Sequence, residues 1–448
     1  MWELIFGLPA AYVTWRKIRL NRKRLRVWKA AARSCGLQIK KVSSAWAFRL
    51  RLNARAGPVE VRIEQSERKE YGCLIVVVAP GPLDSSGIRI CRAASKPQGE
   101  HEIEIGDVPF DKAFDVAGPA RLLSALLDGE TRHLLIGAGS QTPLLEIANG
   151  ELWAETFDNR VAGLLPLLLA IGRRFAQPLD AARRLTENAR QDPDAGVRLR
   201  NLLHLIREHP GTPGTVEALR TACADPSPQV RLRAAEELGA EGHGILVELA
   251  ESATDDATNA QALSLLGREL APDHATTILN VALRRRRILT ARACLEALGR
   301  SGGAGAVRVL AKILKREEAE LAVAAATALG TTGNPAAEPP LILALLREDH
   351  GVLVAAANAL ARIGSTAAVL PLKQAAERSS HLPGVRKATR QAIGEIQSRL
   401  PGASPGQLSL APAEAGQLSL AQTETGQLSL ASDPAGQLSL SGDDDPEI

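Results

Sequence analysis

This 448-residue chain contains one run of four consecutive arginines, Arg284, Arg285, Arg286 and Arg287. Of all its features, this run indicates a possible binding chemistry most directly. Guanidinium groups bind phosphate and carboxylate oxygens through paired hydrogen bonds, so four in a row could neutralise several phosphates or hold an acidic partner. Arginines at the C-terminal end of a helix are also stabilised by the helix dipole. The sequence therefore leaves a binding role and a purely structural role open.

The other residue types that carry catalysis or bind metals are scattered along the chain. The five cysteines form no Cys-x-x-Cys pair, and the eight histidines form no His-Glu pair except His101-Glu102. Zinc sites and metalloprotease centres need such short spacings. We therefore predict a protein that is not an enzyme, holds no metal or other cofactor, and keeps its cysteines as free thiols in a reducing compartment.

Aromatic side chains are confined to the first part of the chain. The sequence has five Trp, six Phe and two Tyr, and none of them follows Phe175. Stacking on nucleic-acid bases requires aromatic faces. Any nucleic-acid contact by the residues after Phe175 is therefore predicted to involve phosphates and not bases.

A repeat with a period of about 31 residues extends from about residue 179 to residue 400. Alanine-rich stretches that predict closely packed helices precede a recurring Leu-Gly or Ile-Gly pair. A glycine just past the end of a helix can adopt the left-handed conformation that caps it, so each pair is predicted to close a helix. The pairs are Leu238-Gly239, Leu266-Gly267, Leu298-Gly299, Leu329-Gly330, Ile363-Gly364 and Ile393-Gly394.

The units also share a turn that contains Asp and is followed by Val-Arg, clearest in residues 225–231 and looser in 194–198 and 385–386. Together with the small-residue helix, this pattern resembles the short bacterial HEAT-like repeat of the PBS-lyase type. The resemblance implies a mainly α fold, with an α-solenoid of about seven helix pairs over residues 178–400 and an extended concave face for large partners. It also implies that the arginine of the motif ties one turn to the next: Arg198, Arg231 and Arg386.

The N-terminal segment is strongly basic. Residues 1–41 carry eleven Lys or Arg and a single Glu, which gives a net charge of +10. Apolar residues up to Trp15 precede the basic cluster, in the reverse order of a secretory signal, and the stretch is too short to span a bilayer. We predict a basic amphipathic helix over residues 1–35. It could pack on its own domain or lie in a membrane interface, and both alternatives stay open.

Residues 36–177 have the pattern of a small α+β domain. Apolar and polar residues alternate with the period of half-buried strands, and one continuous apolar run is typical of a central strand. An antiparallel sheet with a few helices is therefore predicted. The predicted strands are 47–52, 59–63, 73–78, 87–91 and 101–105, and the predicted helices are 119–128 and 161–175.

Within this domain the stretch 106–116 resembles the FDKxFxV signature of an uncharacterised bacterial domain of unknown function. The resemblance implies no activity. Phe110 and Phe114 are four residues apart, so they could share one face of a helix or bracket a turn into a strand. In either arrangement they are predicted to be core residues and not part of a ligand pocket.

The segment 401–448 is an acidic tail with seven Asp or Glu and no Lys or Arg. It buries too little apolar surface to offset its ordering entropy, so disorder is predicted. Gly-Gln-Leu-Ser-Leu recurs in it four times at intervals of ten residues, which suits multivalent docking; a neutral product of sequence duplication is the alternative. The docking residues would be Gln407, Leu408, Leu410, Gln417, Leu418, Leu420, Gln427, Leu428, Leu430, Gln437, Leu438 and Leu440.

These features predict a cytoplasmic scaffold or adaptor that binds one or more proteins through its solenoid. A nucleic-acid-associated protein that binds phosphates through Arg284–Arg287 and the basic N-terminus is the alternative. A third reading is an enzyme with a pocket between the N-terminal domain and the solenoid, but the sequence supplies no nucleophile or base for it. The iron-dependent hydroxylases that share HEAT-like repeats use His-Glu pairs, which are absent after residue 102. Peripheral contact of the N-terminus with the inner membrane also stays open.

Overall fold

The structure, a computed structural model, divides into two compact units: unit 1 is Met1–Gly242 and unit 2 is His243–Ile448. In the described residues, unit 1 contains a sheet, the helices around it and the first helix pairs of the repeat region. Unit 2 contains the later helix pairs. The pair His101-Glu102 lies outside the described residues, which are 3–44, 46, 49–68, 72–81, 87–93, 103–142, 144–252, 255–267, 269–399, 408–410 and 418–420.

Helix α1 (Glu3–Ser34) opens unit 1 and is anchored to it near its C-terminal end. Trp28 is fully buried there, and its Nε1 donates to Oδ1 of Asp158 at 2.9 Å. Arg24 forms an ion pair with the other oxygen of Asp158, also at 2.9 Å. None of the described helices combines the length and the apolar character needed to cross a membrane.

The sheet of unit 1 has eight strands in the order β1-β2-β3-β4-β8-β7-β5-β6, and all neighbouring strands are antiparallel. Apolar residues alternate along the strands, and their buried side chains form one core with helices on the sheet. The predicted antiparallel α+β domain is thus confirmed. The strands are β1 (Gln38–Val42), β2 (Arg51–Ala56), β3 (Val59–Gln65), β4 (Cys73–Val78), β5 (Arg89–Arg92), β6 (Phe114–Ala117), β7 (Leu144–Ala148) and β8 (Glu151–Thr156).

The prediction of a strand over residues 101–105 is wrong for the part of it that the structure describes. Residues 103–105 form no strand. Ile103 N donates to Val116 O at 2.9 Å, but the N–H groups of Ile105 and Gly106 donate to the carboxylate of Asp111. The chain therefore turns into a helix here because a side chain, and not a neighbouring strand, satisfies its backbone.

The FDKxFxV stretch forms a short helix followed directly by a strand. Helix α2 (Val108–Ala113) is capped by Asp107, whose side chain accepts a hydrogen bond from Phe110 N at 3.1 Å. Phe110 and Phe114 are both buried, and their ring centroids lie 5.1 Å apart in a stacked pair. The prediction that these two residues are core residues is confirmed. The other helices around the sheet are α3 (Ala120–Leu126), α4 (Gly129–Gln141) and α5 (Val161–Phe175).

Seven consecutive helix pairs follow in the described part of residues 181–399. The predicted mainly α, repeat-based fold is confirmed. Unit 1 contains α6 (Ala181–Gln191), α7 (Ala195–Glu208), α8 (Pro213–Ala222) and α9 (Pro228–Leu238). Unit 2 contains α10 (His243–Glu251), α11 (Asp256–Leu266), α12 (Pro272–Arg284), α13 (Ile288–Ser301), α14 (Ala304–Arg316), α15 (Ala319–Thr331), α16 (Glu338–Ala344), α17 (His350–Ile363), α18 (Val369–Arg378) and α19 (Pro383–Ser398).

In unit 2 the second helices of successive pairs contact one another extensively. Helices α11, α13, α15, α17 and α19 pack against one another in that order, whereas the first helices of the pairs contact each other far less. Small side chains allow this approach: Ala322, Ala325, Ala326 and Ala328 of α15 are all buried.

The glycines of the repeated Leu-Gly and Ile-Gly pairs serve two different purposes, which corrects the sequence prediction. Gly239 and Gly267 end α9 and α11 as predicted and have positive φ of +57° and +55°, but their ψ of −119° and −118° lies outside the left-handed helical region that the sequence predicted. Gly364 caps α17 with an ordinary φ of −66°. Gly299 and Gly330 lie inside helices, as does Gly394 of α19. For these last three the prediction of a helix end is wrong.

Gly299 and Gly330 are needed for close packing between the second helices. A Cβ at Gly330 would lie 2.8 Å from both the Cα and the Cβ of Ala359, and a Cβ at Gly299 would lie 2.8 Å from the carbonyl oxygen of Ala328. Carbon atoms in contact prefer about 3.5–4.0 Å, so no side chain fits at either position without separating the helices. Gly394 differs, because a Cβ added there would have no atom within 4 Å.

Candidate partner-binding surface

A buried arginine in unit 1 connects the sheet domain to the first helix pair. Arg132 of α4 is 2% exposed; its Nε donates to Asp107 at 2.6 Å, and its two terminal nitrogens donate to Asp192 at 2.9 and 2.8 Å. A further bond reaches Leu127 O. Burial alone lowers the pKa of Arg132, but the hydrogen bonds to Asp192 and Asp107 raise it overall. The guanidinium is therefore committed to structure and not available to a ligand.

The same junction brings two backbones into direct contact. A Cβ at Gly196 would lie 2.3 Å from the carbonyl oxygen of Gly106, so α7 begins against the FDKxFxV stretch. Sequence reasoning missed this junction, because Arg132, Asp107 and Asp192 are far apart in the chain and belong to no shared motif. The FDKxFxV stretch thus supplies Asp107, which caps α2, and the buried rings of Phe110 and Phe114. Its Gly106 contacts the start of α7.

Arg198, which the repeat resemblance assigned to a link between turns, makes that link. Its Nε and Nη2 donate to the two oxygens of Asp225 at 2.7 and 2.8 Å, and its Nη1 donates to Asp192 O at 2.8 Å. The hydrogen bonds with Asp225 raise the pKa of Arg198. Asp225 also accepts from Ser227 N at 2.7 Å, so one carboxylate holds both its own turn and the preceding helix pair.

Arginines in unit 2 bind carbonyl groups at the C-terminal ends of helices in the preceding pair. Arg347 donates to Leu314 O at 2.6 Å, and Arg378 donates to Leu345 O at 2.9 Å. The last carbonyls of a helix lack partners within the helix and carry partial negative charge, so a cation stabilises them. Arg399 does the same at Gly364 O, at 2.8 Å.

The four-arginine run lies at the turn between α12 and α13. Arg284 is the last residue of α12, and Arg286 adopts a φ of +54° in the turn. Arg284, Arg285 and Arg286 are exposed, whereas Arg287 is half-buried and its Nη1 donates to Ser252 O at 2.6 Å, just past the end of α10. Arg287 therefore binds helix-end carbonyls like Arg347 and Arg378, which accounts for one of the four predicted site residues structurally. We call residues 281–290 the arginine corner.

A small pocket opens beside the arginine corner. Its volume is about 170 Å³, and its walls include Ala250, Ile278, Val281, Ala282 and the half-buried Arg287. The polar side chains among its walls bind other parts of the protein: the side-chain amide of Asn259 donates to Ser252 O, and Thr290 bonds to Asp256 at 2.6 Å. Apolar cavities of about 150 Å³ accommodate benzene, so this pocket has room for an aliphatic side chain.

Exposed apolar and charged residues lie close together in sequence around the pocket residues Val281 and Arg287. Val281 is 38% exposed and Leu289, which does not line the pocket, is 45% exposed, and they flank the three exposed arginines in sequence. Leu289 also begins a line of exposed residues along α13, spaced three or four apart as residues on one helix face are. The further members of this line are Arg292, Glu296 and Arg300.

The tail motifs are described only in part. Leu408–Leu410 and Leu418–Leu420 form two short strands, β9 and β10, that pair in antiparallel fashion with Ser409 opposite Ser419. The predicted docking residues of the third and fourth copies, together with Gln407 and Gln417, lie outside the described residues. The docking role of all four copies stays a prediction.

The described residues contain no group of three or more His, Cys, Asp or Glu side chains arranged to hold a metal ion. All five cysteines are free thiols. Burial raises the pKa of the Cys294 thiol to about 12, and burial likewise raises the pKa of Cys73. Since the thiolate is the nucleophile, these two thiols are held in an unreactive form.

Comparison with known proteins identifies HEAT repeats in part of the chain. No curated protein matches the sequence. The human deoxyhypusine hydroxylase structure in complex with glycerol is 19% identical over 49% of this chain and 96% of that chain, with a TM-score of 0.23. The crystal structure of an engineered protein is 22% identical over 41% of this chain and 96% of that chain, with a TM-score of 0.27. A family model of HEAT repeats matches residues 307–394, so the helix pairs from α14 to α19 carry the sequence pattern of HEAT repeats.

Proposed function

We propose that this chain is a non-catalytic scaffold whose helical repeats bind a protein partner at the arginine corner. The proposal rests on one observation: Arg287 lines an apolar pocket large enough for an aliphatic side chain, and the three residues that precede Arg287 in the chain are exposed arginines. Interfaces gain most of their affinity from a few residues that fill pockets near the centre of the contact. An open, solvated surface of stacked helices suits binding better than chemistry, which benefits from a site that excludes water.

The chemistry of the corner defines the kind of segment that it accepts. An aliphatic side chain of the partner fills the pocket beside Val281, and nearby Asp or Glu residues pair with Arg284, Arg285 and Arg286. Affinity then comes mainly from burial of apolar surface, at about 25 cal/mol per Å². The exposed ion pairs contribute mostly to orientation and association rate, and less to affinity.

Binding of a nucleic-acid backbone is the second candidate, and the exposure of the same three arginines favours it. Two features argue for the protein partner. A phosphodiester backbone has no group that uses the apolar pocket, and the residues after Phe175 have no aromatic side chain on which bases could stack. Backbone binding would depend steeply on salt, whereas filling of the pocket would not.

We expect two sets of substitutions in the full chain to separate the candidates. Val281→Asp with Leu289→Asp should abolish capture of the partner at both 0.1 and 0.5 M salt, because a carboxylate at the pocket wall residue 281 would be buried when the pocket is filled and the exposed apolar surface at position 289 would be lost. Arg284→Glu with Arg285→Glu and Arg286→Glu should slow association but leave capture at 0.5 M salt largely intact. Leu370→Asp is the matched apolar control, since Leu370 is 43% exposed and lies on α18.

Binding to duplex DNA should be measured with the same proteins. The control for charge is Arg308→Glu with Lys312→Glu and Lys315→Glu, which changes the net charge equally at exposed positions of α14. Tight DNA binding that the corner arginine variant loses and the α14 variant keeps would reject the protein-binding proposal in favour of the second candidate. Capture that survives Val281→Asp with Leu289→Asp would also reject it.

A further inference from the structure

The N-terminal helix α1 carries exposed aromatic residues that its own domain does not use. Tyr12 and Trp15 are 62% and 56% exposed, and their ring centroids lie 6.5 Å apart in a stacked pair. The Arg19 guanidinium lies 5.5 Å from the centre of the Trp15 ring. Thirteen residues further along the same helix, Trp28 is fully buried. One helix therefore has an anchored end and an exposed aromatic-basic stretch.

Apart from Glu3 at its first position, α1 carries only positive charges. No Asp or Glu occurs between Glu3 and Glu60, so no acidic residue close in sequence neutralises the helix. The exposed face of its middle part is basic, and a surface of that kind attracts an anionic surface rather than a neutral one. The exposed cationic residues in this middle part of α1 are Arg16, Lys17, Arg19, Arg22, Lys23 and Arg26.

The order of residues along α1 matches the depth profile of a membrane interface. Residues 4–15 contain no charged side chain, and the basic residues begin directly after Trp15. Twelve helical residues extend about 18 Å, well short of the roughly 30 Å of a hydrocarbon core. Tyr and Trp prefer the headgroup level, where their rings are partly buried and their polar atoms remain hydrated. Tyr12 and Trp15 stand at this boundary.

We propose that α1 binds the surface of an anionic phospholipid bilayer. Residues 4–15 enter the headgroup and upper acyl region of one leaflet, and the exposed Lys and Arg residues that follow contact lipid phosphates. Two signals act together, apolar insertion and electrostatic attraction, which is the combination that gives stable attachment. The proposed membrane contact uses residues of unit 1, whereas the proposed partner site lies in unit 2.

The test is co-sedimentation of the full chain with vesicles. We expect binding to vesicles of phosphatidylcholine with 30% phosphatidylglycerol and at least tenfold weaker binding to pure phosphatidylcholine. Tyr12→Ser with Trp15→Ser should weaken binding to the anionic vesicles at least tenfold, and so should Arg16→Glu with Arg22→Glu and Lys23→Glu. All five residues are exposed, so the variants should unfold at the temperature of the natural sequence.

The matched controls replace the same types of residue at exposed positions outside α1. Trp153→Ser removes another exposed tryptophan, and Arg284→Glu with Arg285→Glu and Arg286→Glu makes an equal change in net charge; both should bind anionic vesicles normally. Equal binding to neutral and anionic vesicles would overturn the proposal, as would undiminished binding by either α1 variant. Binding of duplex DNA through the α1 arginines without binding to vesicles would assign the surface to nucleic acid instead.

Discussion

Replacement of Arg132 by leucine is expected to lower the free energy of unfolding of unit 1 by about 3–5 kcal/mol. The side chain of Asp192 is 1% exposed and that of Asp107 is 16% exposed, so both carboxylates would lose their counter-charge in a buried setting. Leucine cannot replace any of the four hydrogen bonds that Arg132 donates. An uncompensated buried charge costs far more than a lost surface ion pair, which is why the effect should be large.

The measurement is urea unfolding of the full chain followed by tryptophan fluorescence. All five tryptophans lie at or before Trp153, so the signal reports on unit 1 alone. The matched control is Arg183→Leu, because Arg183 pairs with Glu187 on α6 and its side chain is 76% exposed. Arg183→Leu should lower the free energy of unfolding by about 0.5 kcal/mol or less. A loss below about 1 kcal/mol for Arg132→Leu would contradict a junction held by this charge network.

Gly330→Ala and Gly394→Ala are expected to change the stability of unit 2 in opposite directions. Alanine is favoured over glycine in a helix by about 1 kcal/mol, so propensity alone predicts that both changes stabilise. At residue 330 the added methyl group would lie 2.8 Å from Ala359 and force α15 and α17 apart. Overpacking of this kind costs about 1–3 kcal/mol, so Gly330→Ala should destabilise and Gly394→Ala should stabilise.

This pair of variants is internally controlled. Both glycines follow a large aliphatic residue, Leu329 or Ile393, and both lie inside a helix. Circular dichroism at 222 nm follows the helices, while tryptophan fluorescence follows unit 1 and should be the same for both variants. If Gly330→Ala stabilised the protein as much as Gly394→Ala does, the close approach of the second helices would not be what position 330 requires.

The sequence predicted the repeats because their signals are local and recur. Small residues, Val-Arg turns and Leu-Gly pairs lie within a few positions of each other, and each is repeated. The repeat period does not predict the role of each glycine, because a glycine that ends a helix and a glycine that permits close helix packing both follow Leu or Ile in the sequence. Gly267 lies just past the end of α11, whereas α13 continues for two residues beyond Gly299 to Ser301.

The candidate site was predicted less completely than the fold. The four-arginine run marked the turn between α12 and α13 as a candidate, but only the structure separates Arg287, which binds Ser252 O, from its three exposed neighbours. The sequence did not predict the pocket, because its walls Ala250 and Ile278 come together only through the packing of separate helices. Likewise, Arg132 reaches a partner 60 residues away, which no pattern search along the chain detects.

Site-specific photocrosslinking is the most direct test of the arginine corner as a protein-binding surface. A photoreactive residue at position 289 of the full chain, with position 370 as the matched exposed control, would be activated in cells and the adducts identified. We predict that position 289 crosslinks to one protein, at a segment with an aliphatic residue beside Asp or Glu, and that position 370 does not. Adducts with nucleic acid alone, or no protein adduct above the level at position 370, would contradict the account.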